Sequence, residues 1–355
     1  MSEDMSVEIK IGSEIYGGWK TSRVQRGIEQ IAGAFELTVS ERWPGQDVPR
    51  QIKRGQRCEV LVDNETLITG FVDVARPSFG PTSHDFDVSG RDATGDLVDC
   101  SAIHKTGQWA AATLDRIVRD ICAPFGIKVK AITDVGRAFD TFALQEGETA
   151  FEAIERACRM RAILPVSDGR GGLLLTRAAK GAAVDTLEQG RAPLVSASGE
   201  FSLSERHSKY IVKGQDRGSD DNFDSAETHS QVMAEAVDTG VGRYRPLIVL
   251  AENHGPNATY KQRADWERNV RRGRSNKINA TVQGWRFKGG LWQPNTMVRV
   301  ESDWLGVHDD LLITSVEYIR DDQGTRTELQ LASREAFDLI ETAPKKGKKS
   351  DDWDF

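Results

Sequence analysis

The sequence has no cysteine pair at metal or redox spacing, no long apolar run and no excess of positive charge. Its four cysteines, Cys58, Cys100, Cys122 and Cys158, lie far apart, with no Cys-x-x-Cys and no histidine at zinc-finger distance. They read as buried free thiols in a reducing compartment. No stretch approaches the ~20 apolar residues that cross a bilayer, so no membrane insertion is expected. The N-terminal MSEDMSVEIKIG lacks the basic stretch and apolar core of a secretory signal. With 54 acidic against 47 basic side chains the net charge is −7, which argues against a dedicated nucleic-acid binder.

Catalytic signatures are missing too. The chain contains no Gly-x-Ser-x-Gly, His-Glu-x-x-His, P-loop or Gly-x-Gly-x-x-Gly pattern. The glycine-rich Asp168–Gly172 stretch lies between two strand-like segments, so it reads as a hairpin turn; a phosphate cradle needs a following helix N-terminus. His84-Asp85-Phe86-Asp87 and His308-Asp309-Asp310 set carboxylates beside imidazoles, the raw material of a metal or acid–base site. The alternation places Asp85 and Asp87 on one strand face and His84 on the other, and His308–Asp310 reads as a loop before a strand. Neither group is selected as a site. No catalytic, cofactor-binding or metal-ligating residue is assigned, no cofactor is expected, and the chain is not expected to be an enzyme.

What is present is mostly β. The 355 residues suffice for two or three domains. Apolar residues alternate at Val7, Ile9 and Ile11, at Phe35, Leu37 and Val39, and at Cys58, Val60 and Val62, the period of half-buried strands. Gly17-Gly18, Pro44-Gly45 and Asp63-Asn64 supply turns. The period then becomes helical over Trp109–Cys122, with Thr106 as the N-cap, and again over Thr149–Met160. Strands follow at Ile127–Val129, Ile163–Val166 and Leu173–Leu175. The third stretch resumes β character at Phe201, Leu203, Tyr210 and Val212. An acidic segment, Asp216–Asp238, precedes a basic helix over Thr259–Arg272 that carries Arg263, Arg268, Arg271 and Arg272. That helix reads as a solvated or protein-facing one with Tyr260, Ala264 and Val270 on its buried side. The tail after Ala343 is charged and ends in Asp-Asp-Trp-Asp-Phe. The eight tryptophans read mainly as anchors at strand ends and turns.

An internal repeat organises the β parts. Gly55–Val60, Leu67–Phe71 and Phe86–Ala93 are matched in order by Asn295–Val300, Leu312–Val316 and Leu329–Ala336, and more loosely Phe35–Trp43 by Ile278–Trp285. The expected fold is α+β and mainly β: two similar antiparallel β-barrels, a small α/β module and a charged α/β insertion. The expected division is a first barrel at 1–98, the module at 99–178 and a second barrel at 179–217 with 279–340. The insertion would occupy 218–278 and a mobile tail 341–355. Two like barrels per chain suit a ring in which three chains present six units.

The order of several short motifs resembles the baseplate hub proteins of contractile-tailed phages, particularly the Mu-like tail protein P and tail protein D type hubs. These motifs are Arg26-Gly27-Ile28-Glu29, Phe35–Trp43, Gly70-Phe71-Val72-Asp73, Ser89-Gly90-Arg91-Asp92, Glu146–Glu152, Gly284-Trp285-Arg286 and Leu291–Asn295. The resemblance implies a structural homotrimer, a pseudo-sixfold ring adapting a tail tube to a trimeric membrane-piercing spike. The implied partners are the tail spike protein, the tail tube or distal tail protein and other baseplate proteins. DNA would pass through the channel without sequence recognition. The implied location is the virion's tail baseplate, after assembly in the host cytoplasm. Alternatives are a tail-associated cell-wall hydrolase, or the equivalent hub of a bacteriocin or secretion-system spike.

Overall fold

A computed structural model describes residues 6–40, 52–81, 84–213, 233–250 and 257–337. Most of the acidic segment, and the whole tail from 338 on, lie outside them. The first part is all β: β1 (Val7–Ile11), β2 (Glu14–Tyr16), β3 (Thr21–Gly27), β4 (Ala34–Ser40), β5 (Arg57–Val62), β6 (Glu65–Phe79) and β7 (His84–Asp92). The short helix α1 (Gly95–Asp99) follows. Alternation dictates the layering: Phe35, Leu37 and Val39 of β4 and Val60 and Val62 of β5 are buried, while the residues between them face out.

The α/β module holds β8 (Gln108–Ala112), α2 (Leu114–Cys122), β9 (Lys128–Ala131), β10 (Phe139–Ala143), α3 (Ala150–Arg159), β11 (Leu164–Ser167) and β12 (Gly172–Thr176). Here the sequence reading shifts. Trp109 and Ala110 lie in a strand paired with β10, and α2 starts five residues later, after Thr113 rather than Thr106. Thr106 instead bonds the carbonyl of Gln108 at 2.7 Å, closing a local turn. α3 begins with a capping box: Thr149 Oγ1 accepts from Glu152 N at 3.1 Å and Glu152 Oε2 from Thr149 N at 2.7 Å. Leu114, Ile117, Val118 and Ile121 of α2 meet Ala153, Ile154 and Ala157 of α3 in a core of their own. Cys58, Cys122 and Cys158 are buried as expected, and burial pushes the Cys58 and Cys122 thiols up to about 12. Cys100, just past α1, is exposed.

The last part contains β13 (Thr186–Glu188), β14 (Leu194–Phe201), β15 (Lys209–Lys213), β16 (Met233–Val237), β17 (Pro246–Leu250) and α4 (Asn257–Arg274). Then come β18 (Asn276–Gln283), β19 (Arg286–Phe287), β20 (Gly290–Leu291), β21 (Met297–Ser302), β22 (Val307–Asp321) and β23 (Gly324–Ala332). Tyr210 and Val212 do not extend the main sheet. Their strand β15 pairs with β16 and β17 in a separate small sheet, whose inner face packs on Tyr260 and Ala264 of α4. The basic helix is largely neutralised from within: Glu267, buried, takes Arg263 at 2.8 Å and Arg271 at 3.2 Å, and Lys261 meets Asp265 at 2.9 Å.

One sheet of 13 strands runs through both β parts in the order β14-β18-β23-β22-β3-β4-β7-β6-β5-β1-β2, with β21 and β13 branching from β22. The expectation of two barrels resolves differently: among the described residues no ladder closes either part on itself, and the two share a continuous core. Each part instead folds over at a bulge in a 15-residue strand, between Val72 and Val74 in β6 and between Ile313 and Ser315 in β22. The bend lets β5 or β21 lie across the sheet as a second layer. Trp285 and Trp292 are fully buried there, around the Arg286–Leu291 hairpin. Trp304, at the β21–β22 turn, is exposed.

Candidate assembly interface

The His and Asp groups singled out in the sequence lie in strand ladders and a hairpin. Asp87 accepts a 2.8 Å bond from Thr38 Oγ1 across the β4–β7 ladder, and His84 stacks on Phe79 on the opposite face. His308–Asp310 lie within β22, not in a loop before it, because the ladder to β21 begins at Val307. His308 is held by Glu301 at 2.6 Å and Asp303 at 3.2 Å, and these charged cross-strand neighbours carry the strand out to its turn. Asp168 closes the β11–β12 hairpin, accepting from Arg170 N at 2.7 Å and Gly172 N at 2.8 Å. Among the described residues no group of three or more His, Cys, Asp or Glu side chains is placed to hold a metal.

The informative geometry is the seam where the two β parts meet. β3 runs antiparallel to the second half of β22, with Gly27 opposite Ser315, Gln25 opposite Glu317, Val24 opposite Tyr318 and Ser22 opposite Arg320. Arg23 bonds Glu317 at 3.2 Å, and Ser315 Oγ donates to Arg26 O at 3.3 Å. Beneath the seam Tyr318 is fully buried and its hydroxyl donates to Trp292 O. Burial moves that phenol up and the Arg26 guanidinium down from their ordinary values. Arg26 ties three parts of the chain together, reaching Gln293 Oε1 at 3.0 Å and the carbonyl of Ser167 at 3.3 Å. Next to it Asp92 is buried and accepts from the backbone N–H groups of Gly33 and Thr94, each at 2.8 Å. Burial raises its carboxyl pKa against those bonds.

The ladders establish the repeat residue by residue. Counting from the two bulges, Val74 opposite Ser89 corresponds to Ser315 opposite Gln330, and Arg76 opposite Asp87 to Glu317 opposite Glu328. Phe35 opposite Gly90 corresponds to Ile278 opposite Leu331. Thr21 opposite Thr38 corresponds to Ser196 opposite Thr281, so β14 is the counterpart of β3. Arg57 opposite Phe71 corresponds to Met297 opposite Leu312.

This correspondence exposes an asymmetry. The seam joins β3 to β22; its counterpart would join β14 to the second half of β6. Within the chain those two edges lie far apart in the strand order, and among the described residues neither the side of Val74–Phe79 away from β7 nor the side of β14 away from β18 has a partner strand. Both carry apolar side chains in water: Phe79 is 86% exposed, Val195 66% and Phe201 51%. Unpaired edges of this kind are templates for another chain. Sequence inspection marked none of these residues, because an edge strand and a central strand share the same alternation.

Comparison with known proteins agrees with a tail assembly. Residues 6–92 match a family described as Mu phage baseplate assembly protein GpP-like, N-terminal. Residues 94–177 match the second domain of baseplate hub protein gp44-like, and 256–340 the fourth domain of Mu phage baseplate assembly protein GpP. The chain is 34% identical to the baseplate hub protein gp44 of Escherichia phage Mu, over 98% of this chain and 93% of that one. It is therefore similar to the Mu protein and distinct from it. The 43 kDa tail protein of prophage MuSo2 from Shewanella oneidensis superposes with a TM-score of 0.84 at 35% identity, covering 94% of this chain and all of that one. The tail protein of Neisseria meningitidis MC58 gives 0.78 at 21% identity, over 95% and 99% of the two chains.

Proposed function

Because the chain belongs to the family of Mu-like phage baseplate hub proteins, we propose that three copies close edge to edge into a ring of six near-equivalent β halves. The hub family places the chain in the virion, in the tail baseplate. The observation that carries the ring is the seam with an open counterpart. Repeating the β3–β22 pairing between β14 of one copy and β6 of the next pairs both of these open edges and closes the eight-strand path from β14 to β6. Transferred register puts Phe201 opposite the next copy's Ala75, Glu200 opposite its Arg76 and Ala197 opposite its Phe79. The charges match, and Phe79 and Phe201 leave water. Pro77, which has no N–H to give, falls opposite Gly199, so the pairing rests on the remaining positions.

Such a ring threads eight strands per copy, β14 through β6, into a closed wall. Twenty-four strands at about 4.8 Å spacing give a circumference of roughly 115 Å and a backbone diameter of at least ~37 Å. One face of that wall carries the second layers, the module and the small sheet, which do not fit inside it. That face is the outside, and the polar face is the lumen. A ring of this kind offers six similar surfaces to a sixfold tube and three identical ones to a threefold spike. DNA crosses the lumen without being read, and the role is structural rather than catalytic. The division that supports this is a first half, the module, a second half interrupted by a charged insertion, and a tail. The family matches at 6–92 and 94–177 break where the first half ends, while the match at 256–340 takes α4 together with the second half.

Native mass measurement tests the ring. The wild-type chain is expected at three times 39.3 kDa. Phe79→Asp and Phe201→Asp, both at exposed positions, are expected to leave a folded monomer with Tm within ~2 °C. Trimers persisting in both variants would overturn the proposed edges.

A further inference from the structure

Taking that ring as its premise, we propose that the channel wall is self-neutralised. Each strand cation on it has a carboxylate of the same sheet either as its ion-pair partner or as its neighbour across the ladder, so a passing polyphosphate meets positive charge already countered. The wall face is the outward face of β14, β18, β23, β22, β3, β4, β7 and β6. Arg23 lies between Glu317, at 3.2 Å, and Glu36, its partner across the β3–β4 ladder. Arg326 bonds Asp321 at 2.9 Å, with Glu328 at 3.8 Å. Lys277 stands opposite Glu200 in the β14–β18 ladder, and Arg76 opposite Asp87 in the β6–β7 ladder. In the ring register Arg76 also faces the neighbouring copy's Glu200.

Between these pairs the wall carries neutral polar side chains and further carboxylates, Asp85 among them. Of two hollows at the seam, the one of about 120 Å³ is lined by Gln25, Arg26, Glu29, Ser315 and Gln330, with the Arg26 guanidinium turned away to Gln293 and the Ser167 carbonyl, and the one of about 100 Å³ by Asn279, Thr281, Glu317 and Glu328. Affinity for a duplex comes mainly from phosphates displacing condensed counterions onto lysine and arginine. A cation already paired with a carboxylate has little to exchange. The net charge of −7 is therefore the wrong quantity to consider; what matters to the DNA is the pairing along this face.

The test frees one cation per copy. Glu36→Gln with Glu317→Gln leaves Arg23 without its two carboxylates on an exposed part of the wall. Binding of a short DNA duplex would be followed by anisotropy across a salt series, with native mass recorded on the same samples. The wild-type trimer is expected to bind negligibly. The double variant should bind at least ten-fold more tightly at low salt, with a log–log slope approaching −3 from three freed arginines. Adding Arg23→Gln should return binding to the wild-type level. A wild-type trimer that already binds the duplex as tightly as the variant overturns the inference alone. So does a trimeric double variant that binds no tighter than wild type. A wild-type chain that stays monomeric removes the ring and this inference with it.

Discussion

The two β halves are built to one plan and differ in what their edges do. In both, a 15-residue strand bends at a bulge, a nine-residue strand pairs along it, and a six-residue strand crosses as a second layer. The cores are exchanged in detail: Phe35 over Gly90 in one half answers Ile278 beside Leu331 in the other, a large–small pair against two of middle size. Interiors tolerate such swaps when total volume is kept. The edges were not kept alike. β22 has β3 along its second half, and Tyr318 is buried there; the same position in β6 is Pro77, in water. A duplicated fold thus satisfies itself at one seam, while the counterpart edges have no partner strand on their outer sides among the described residues.

The largest expected effect separates those seams. Tyr318→Ala removes a fully buried ring and its bond to Trp292 O, and should cost ~3–5 kcal/mol in urea unfolding of the subunit. Pro77→Ala, its counterpart, should stay within ~0.5 kcal/mol in an isolated subunit. Equal costs would mean that the two strands are not equivalent. Next, Gly90→Ala puts a Cβ against Phe71 O and 2.8 Å from the Phe35 ring, so about 1–3 kcal/mol should be lost. An unchanged midpoint would show that the exchanged cores have slack.

Acid should also distinguish the halves. Burial raises the Asp92 pKa above 3.8 in the fold, so the folded state takes up a proton that the unfolded chain does not. Its contribution therefore grows as pH falls through the folded pKa and levels off below 3.8. The position after β23 that corresponds is Ser333, which does not titrate. Relative to Asp92→Asn, wild-type stability should rise on acidification; a flat difference between the two urea midpoints contradicts the assignment. The smallest effect is at the surface of the seam. Arg23→Ala, breaking the half-exposed pair with Glu317, should cost less than ~1 kcal/mol.

How much of this the sequence disclosed depends on what alternation can encode. The strands of the first half, the helix capped by Thr149 and the order of the repeat were legible. Gly55–Val60 matched Asn295–Val300 in the observed register. The other two segments slipped: Leu312 corresponds to Phe71, not Leu67, and Leu329 to Val88, not Phe86. The slips are four residues and two. Both are even, and an even shift leaves every side chain on its correct face, so periodicity cannot detect it. The same blindness hid the proposed assembly edges, since a strand with one open side alternates like one paired on both. α2 was misplaced because Ala110 continues the helical spacing of Leu114, Ile117, Val118 and Ile121 although it lies exposed in a strand. The family motifs identified the kind of protein; the ladders located the surface through which it would act.

The central claim is that β14 of one copy continues onto β6 of the next in the register of the internal seam. Disulfide trapping reads this directly. In a Cys100→Ser background, Arg76→Cys is combined with Glu200→Cys, predicted to lie directly opposite it, and in a control with Ser198→Cys, one position off on the same face. Mild oxidation of the first pair should give dimers and trimers on a non-reducing gel, with little from the control. A trimer by native mass that never cross-links through the first pair, or that cross-links equally well through both, would contradict the account.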